Sequence, residues 1–270
     1  MPILDGIRSY LFVPASDPRR VDKALASDAH AVVLDLEDAV APEAKENARV
    51  VVAEKLRARR GNGIQLVRVN GLETPHARPD LAALEGLAVD AIMIPKAEPQ
   101  PLLGLGPSGP PVIALIETAR GLRRAHEIAT RIPRVLALML GNIDLAAELG
   151  ATPGPDGREL LFARSALVVD SAAAGLGGPI DGPCTAIGDD AALRAETVAA
   201  KALGFAAKVC IHPTQLAVVH DVFTPTQDEI AWARRVVEAA EGERGRGAIA
   251  VDGQMVDAPV VARARRLLAS

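Results

Sequence analysis

The sequence predicts an α/β fold: a (β/α)8 TIM barrel with a C-terminal helical/β arm. Three observations carry this. Eight short apolar runs are spread over the first 211 residues. Helical stretches separate them, and a polar residue closes nearly every run. Short buried strands alternating with helices predict a parallel sheet, and eight such units close it into a barrel.

The elements follow in order. Tyr10–Val13 is the first strand and ends at Pro14; Asp17-Pro18 then opens a helix over Arg19–Ala26, an acid cap followed by proline in the first turn. Ala31–Leu36 is the second strand and runs into Glu37 and Asp38. Pro42–Arg60 reads as a long amphipathic helix that stops at Gly61-Asn62-Gly63. Ile64–Val69 carries Arg68 and ends at Asn70, and Ala91–Ile94 is followed by Lys96. Gly104–Pro111 lacks the Lys and Ser/Thr of a phosphate-cradling loop and leads into a strand, so it reads as a surface connection. Val112–Ile116 ends at Glu117-Thr118, and Val135–Leu140 ends at Gly141-Asn142-Ile143-Asp144. A weak seventh strand lies near Pro179–Asp181, and the eighth, Ala207–Ile211, ends at His212. A barrel gathers these strand ends on one face, where active sites of this architecture lie.

After His220 the pattern changes. Thr226–Glu243 reads as a helix, Gly242–Gly247 as a charged turn, Ala248–Val256 as a short β piece around Gly253, and Pro259–Leu268 as a final helix. The barrel is therefore assigned residues 1–222 and the arm 223–270. The arm is expected to be too small for a core of its own and to pack on the barrel or on a neighbouring subunit.

Composition removes several function classes. The net charge of −4 argues against a nucleic-acid binder, and 2% aromatic residues leave little to stack on bases. No apolar run approaches the roughly 20 residues needed to span a bilayer, and no secretory signal is visible. Cys184 and Cys210 are the only cysteines and lack metal-ligand spacing, which predicts a reducing, cytoplasmic compartment.

The chemistry centres on Glu117 and Asp144. They end the fifth and sixth strands, so a barrel makes them neighbours. Two convergent carboxylates with room for water suit Mg²⁺, a hard cation that prefers oxygen and rarely has an all-protein cage. Arg68 offers a planar fork for a substrate carboxylate, or a structural ion pair with Glu37 or Asp38. Glu37 and Asp38 read as outer groups that hold metal-bound water and orient Arg68. A metal beside a carboxylate-binding arginine suits a 2-oxo acid and the making or breaking of a carbon–carbon bond next to its carbonyl. Lys96 and Lys208 are candidates for the rival Schiff-base chemistry. His212 is a candidate base or an organiser of the mouth, and no nucleophile elbow supports a Ser-His-Asp triad.

Six ordered segments resemble the citrate lyase beta-subunit-like proteins of the HpcH/HpaI aldolase and malyl-CoA lyase group: Arg8–Pro14, Asp35–Val40, Val67–Asn70, Ile116–Thr118, Ile211–Pro213 and Gly253–Asp257. The resemblance implies Mg²⁺ on Glu117 and Asp144, and Arg68 on the substrate carboxylate. It implies that Asp257 is the acid/base, delivered by the arm into an adjacent subunit of a homo-oligomer, a trimer or hexamer. It further implies a 2-oxo acid and an acyl-CoA thioester such as malyl-CoA or citramalyl-CoA as partners. One departure is visible: many relatives carry an acid where this chain has Ile143. Two other readings stay open, a citrate lyase beta subunit working with an acyl carrier and a non-catalytic 2-oxo-acid/CoA-binding protein.

Overall fold

The structure, a computed structural model, describes residues 4, 6–59, 63–154, 156–242 and 248–269. The chain divides into two compact units, one over Ile7–Phe223 and one containing residues 224 onward.

In the first unit eight parallel strands close into a barrel in sequence order. They are β1 (Ser9–Pro14), β2 (Ala31–Asp35), β3 (Ile64–Arg68), β4 (Ala91–Ile94), β5 (Val112–Ile116), β6 (Val135–Leu140), β7 (Ile180–Asp181) and β8 (Ala207–Cys210). The expected strands all occur, and β7 is reduced to two residues. Helices α1 (Pro18–Leu25), α2 (Lys45–Arg57), α3 (Ala77–Ala83), α4 (Pro99–Leu103), α5 (Ala119–Arg123), α6 (Ala125–Arg131), α7 (Asn142–Leu149), α8 (Leu161–Ala173), α9 (Asp190–Leu203) and α10 (Leu216–Phe223) connect them. Pro42–Ala44 is a separate 3₁₀ turn ahead of α2, and the expected stop at Gly61-Asn62 lies outside the described residues.

Alternation along each strand divides the core. Leu11, Val13, Val32, Leu34, Ile92 and Ile94 pack with Val21, Val52 and Leu102 of the helices. The intervening residues Val33, Leu66, Met93, Ile113 and Met139 are equally buried and, by the two-residue period, fill the barrel interior. Two charged residues belong to that inward set, Asp35 and Arg68, one at the end of each of two paired strands.

The second unit contains α11 (Gln227–Gly242), an antiparallel hairpin of β9 (Ala248–Val251) and β10 (Gln254–Asp257), and α12 (Ala258–Ala269). The expected turn falls largely on residues 243–247, outside the described ones. The expectation of no separate core is corrected: Ala233, Val236, Val256 and Ala264 form a small buried cluster. The helices and hairpin cover one another, and Arg263 lies 5.3 Å from the Trp232 ring centroid. Among the described residues no helix is long and apolar enough to cross a membrane.

Candidate active site

The C-terminal ends of β2 to β6 bring the charged residues together. Strand register does the first part of the work. Asp35 pairs with Arg68 in the β2–β3 register, so their side chains leave adjacent strands at one level. The guanidinium then grips Asp35 side-on, with Nε donating to Oδ1 at 2.7 Å and Nη2 to Oδ2 at 2.6 Å. Nη1 lies 2.9 Å from Glu37 Oε2, and the Phe12 ring centroid is 5.1 Å below the guanidinium carbon. Burial opposes the charge on Arg68, but Asp35, Glu37 and Glu117 outweigh it and hold the group protonated.

The arginine's protein partners are thus Asp35 and Glu37. Asp38, 64% exposed at its side chain, is not among them and comes only within 3.8 Å of Lys96 Nζ. Asp35 is a site residue that the sequence shows only as one of three acids crowded within four residues, with no partner assigned. Its signal is the register, since it stands at the same height in β2 as Arg68 does in β3.

Glu37 follows β2, and its N–H donates to Asp35 Oδ1 at 2.9 Å. Its carboxylate is shared between Arg68 and Lys96, whose ammonium donates to Oε1 at 2.9 Å. Burial pushes the Glu37 pKa up, and the two cations oppose that rise. Lys45 holds the segment from behind, donating to the carbonyls of Leu36 and Glu37 and to Asn70 Oδ1.

Glu117 is almost fully buried at the end of β5. The Lys96 N–H donates to its Oε1 at 2.8 Å. Gly141, whose N–H donates to the Ile116 carbonyl, leaves the space that this carboxylate occupies: a Cβ there would overlap Glu117 Cβ and lie 2.6 Å from Oε2. Asp144 sits in the first turn of α7, where the helix dipole favours a negative charge. Burial, then the charges of Glu37 and Asp144, drive the Glu117 pKa up to about 8.

This pair can hold a divalent cation. Among the described residues Arg68 and Lys96 pair with Asp35, Glu37 and Asp38, whereas neither Glu117 nor Asp144 pairs with a lysine or arginine. Arg68 and Lys96 act on Glu117 from a distance, yet its pKa still rises, so burial and the neighbouring acids outweigh them. A hard cation offsets that rise, and all-oxygen donors suit Mg²⁺ better than zinc or copper.

The remaining candidates sort themselves by contact. Lys208 is buried, and its ammonium meets Asp181 at 2.7 Å, the Gly182 carbonyl at 2.9 Å and Glu196 at 3.3 Å. Burial lowers the Lys96 pKa, but Glu37, Glu117 and Asp38 raise it further than burial lowers it. Lys96 is thus held as an ammonium ion without the free pair that a Schiff base needs, and Lys208 is already engaged by two carboxylates and a carbonyl. His212 is exposed and caps a 3₁₀ turn through Thr214, with Gln215 answering from the other side. Ile143, the departure from the family pattern, is 50% exposed on α7. Asp257 ends β10 in the second unit, and its Oδ1 accepts from the Val260 N–H at the start of α12.

A family model described as HpcH/HpaI aldolase/citrate lyase matches residues 8–101 and 108–213, more than half of the chain. The chain belongs to the HpcH/HpaI aldolase/citrate lyase family. A (3S)-malyl-CoA thioesterase of Cereibacter sphaeroides is 39% identical over 97% of this chain and 93% of the relative. The CitE protein of Mycobacterium tuberculosis, solved with magnesium, acetoacetate and coenzyme A, superposes with a TM-score of 0.85 at 39% identity, covering 97% of this chain and 96% of that one. A citrate lyase beta subunit from the same organism, solved with oxaloacetate and magnesium, gives a TM-score of 0.73 at 36% identity over 83% of this chain and all 100% of the other.

Proposed function

We propose that this member of the family is a Mg²⁺-dependent carbon–carbon lyase. Its substrate is a 3-hydroxyacyl-CoA such as malyl-CoA or citramalyl-CoA, and its products are a 2-oxo acid and acetyl-CoA. The observation that carries the reading is the pair Glu117 and Asp144, neither in an ion pair with a lysine or arginine among the described residues, beside an arginine already fixed by Asp35 and Glu37. Relatives solved with magnesium and with acetoacetate, coenzyme A or oxaloacetate support it.

Glu117 and Asp144 would hold the ion. Bound there, Mg²⁺ supplies positive charge to the substrate oxygen on which negative charge develops. Arg68 has five N–H donors; Asp35 takes two and Glu37 meets Nη1, so donors remain for the substrate carboxylate. Because the guanidinium is clamped, it meets the substrate already oriented. Asp257, from the arm of an adjacent subunit, takes the hydroxyl proton. The O–H pair becomes the carbonyl of the 2-oxo acid, the bond to the α-carbon breaks, and that carbon takes up a proton to leave acetyl-CoA. Asp35, Glu37 and Glu117 keep Arg68 charged against its burial, so the fork meets the substrate as a cation. The protein is read as a cytoplasmic homo-oligomer, a trimer or hexamer.

The test is product analysis with a panel of 3-hydroxyacyl-CoA thioesters. Wild type with Mg²⁺ is expected to release 2-oxo acid, and Asp257→Asn to be slower by about 10²–10⁴. Equal rates in the two proteins would contradict the role of Asp257, and no 2-oxo acid from any thioester would contradict the lyase. A second reading is favoured by the thioesterase relative: attack of water on the same thioester, releasing free coenzyme A and the hydroxy acid. Free thiol without 2-oxo acid distinguishes it. The citrate lyase beta reading, favoured by the oxaloacetate-bound relative, is distinguished by a requirement for a carrier-bound thioester.

A further inference from the structure

The mechanism leaves Lys96 without a task, yet it is held in an unusual way. Its φ is 48°, one of three positive values at non-glycine positions among the described residues. The others, Arg134 and Asp252, precede β6 and turn the arm hairpin, whereas Lys96 stands at the mouth after β4. The left-handed region crowds Cβ against the backbone, and turns that need it normally recruit glycine or asparagine. A lysine persists there only if its surroundings hold it.

Three contacts do so. The Lys96 N–H donates to Glu117 Oε1 at 2.8 Å. The ammonium donates to Glu37 Oε1 at 2.9 Å. The next residue ties the turn to β5, with the Ala97 N–H donating to the Leu115 carbonyl at 3.0 Å. One residue therefore grips two carboxylates, one with each end. Glu117 has Oε1 engaged, and Oε2 takes no hydrogen bond from the described residues. Glu37 in turn meets Arg68 Nη1 at 2.9 Å.

We propose that Lys96 is a positioning residue for both halves of the mouth. Its left-handed backbone fixes the metal-holding carboxylate Glu117 through Oε1, and its ammonium fixes Arg68 through Glu37. The inference rests on the assignment of Glu117 as a metal ligand.

Three variants separate positioning from plain structure. Lys96→Arg keeps the cation. Lys96→Gly loses it but accepts the backbone angle without strain and keeps the N–H. Lys96→Ala loses the cation and still bears the strain. The readouts are the Mg²⁺ dissociation constant by calorimetry and the melting temperature. Lys96→Arg is expected to bind Mg²⁺ close to wild type and Lys96→Ala at least about tenfold more weakly, the usual effect of removing a group that orients a ligand. Lys96→Gly should fall between them while melting no lower than Lys96→Ala. Wild-type Mg²⁺ affinity in both Lys96→Ala and Lys96→Gly, whatever their melting temperatures, overturns the proposal and leaves the Glu117 assignment standing. A wild-type protein that binds no Mg²⁺ overturns both.

Discussion

At the scale of single residues, the site is a problem of charge balance. Asp35 and Glu37 are matched by Arg68 and Lys96, and Glu117 and Asp144 are left over. The consequence can be measured. Burial first, then neighbouring charge, raises the folded Glu117 pKa from its usual value near 4.5 to about 8. Between those values the folded chain keeps a proton that the unfolded chain has released, so stability falls as pH rises through the window. A bound cation supplies the missing charge and cancels that loss. The increase in melting temperature on adding Mg²⁺ should therefore grow with pH from about 5 to about 8. A thermal-shift series with and without Mg²⁺ checks this, and an increase independent of pH would contradict it.

At the scale of elements, the barrel strands work as a ruler. β4, β5 and β6 follow directly from their apolar runs, and the polar residue after each run marks the mouth. What the runs do not reveal is how one strand sits against the next. Asp35 looks like one of three crowded acids until the register places it beside Arg68. The role of Lys96 is hidden for another reason: a positive φ is unexpected at lysine, and nothing in Ile94-Pro95-Lys96 announces it. The seventh strand is weak in sequence because only two of its residues pair. Gly141 shows how the β6–α7 junction serves the site. It lets the junction pass against Glu117, where a side chain would collide. Gly141→Ala should lower stability by about 1–3 kcal/mol and weaken Mg²⁺ binding, because Glu117 must move. Denaturant unfolding and a metal titration test the two parts, and wild-type values in both would contradict this account of the junction.

At the scale of the whole molecule, the proposed acid/base and the proposed metal pair lie on different compact units. Glu117 and Asp144 belong to the barrel and Asp257 to the arm, which has a small core of its own. The proposal that the arm serves an adjacent subunit predicts complementation. Asp257→Asn should be slower by about 10²–10⁴ alone, and Glu117→Ala should lose activity alone. Co-expressed, they should regain activity, because some mouths then combine an intact metal pair with an intact neighbouring Asp257. A purified mixed oligomer with no activity would contradict service between subunits.

The central claim is that Glu117 and Asp144 hold Mg²⁺ and that the 2-oxo acid binds beside it. The most direct measurement is a calorimetric titration of wild type, Glu117→Ala and Asp144→Ala, first with Mg²⁺ and then with pyruvate or oxaloacetate. Wild type should bind the ion, and bind the acid tightly only once the ion is present, while each variant should lose both events. Wild-type Mg²⁺ affinity in either variant, or 2-oxo-acid binding to wild type that is the same with and without the ion, would contradict the claim.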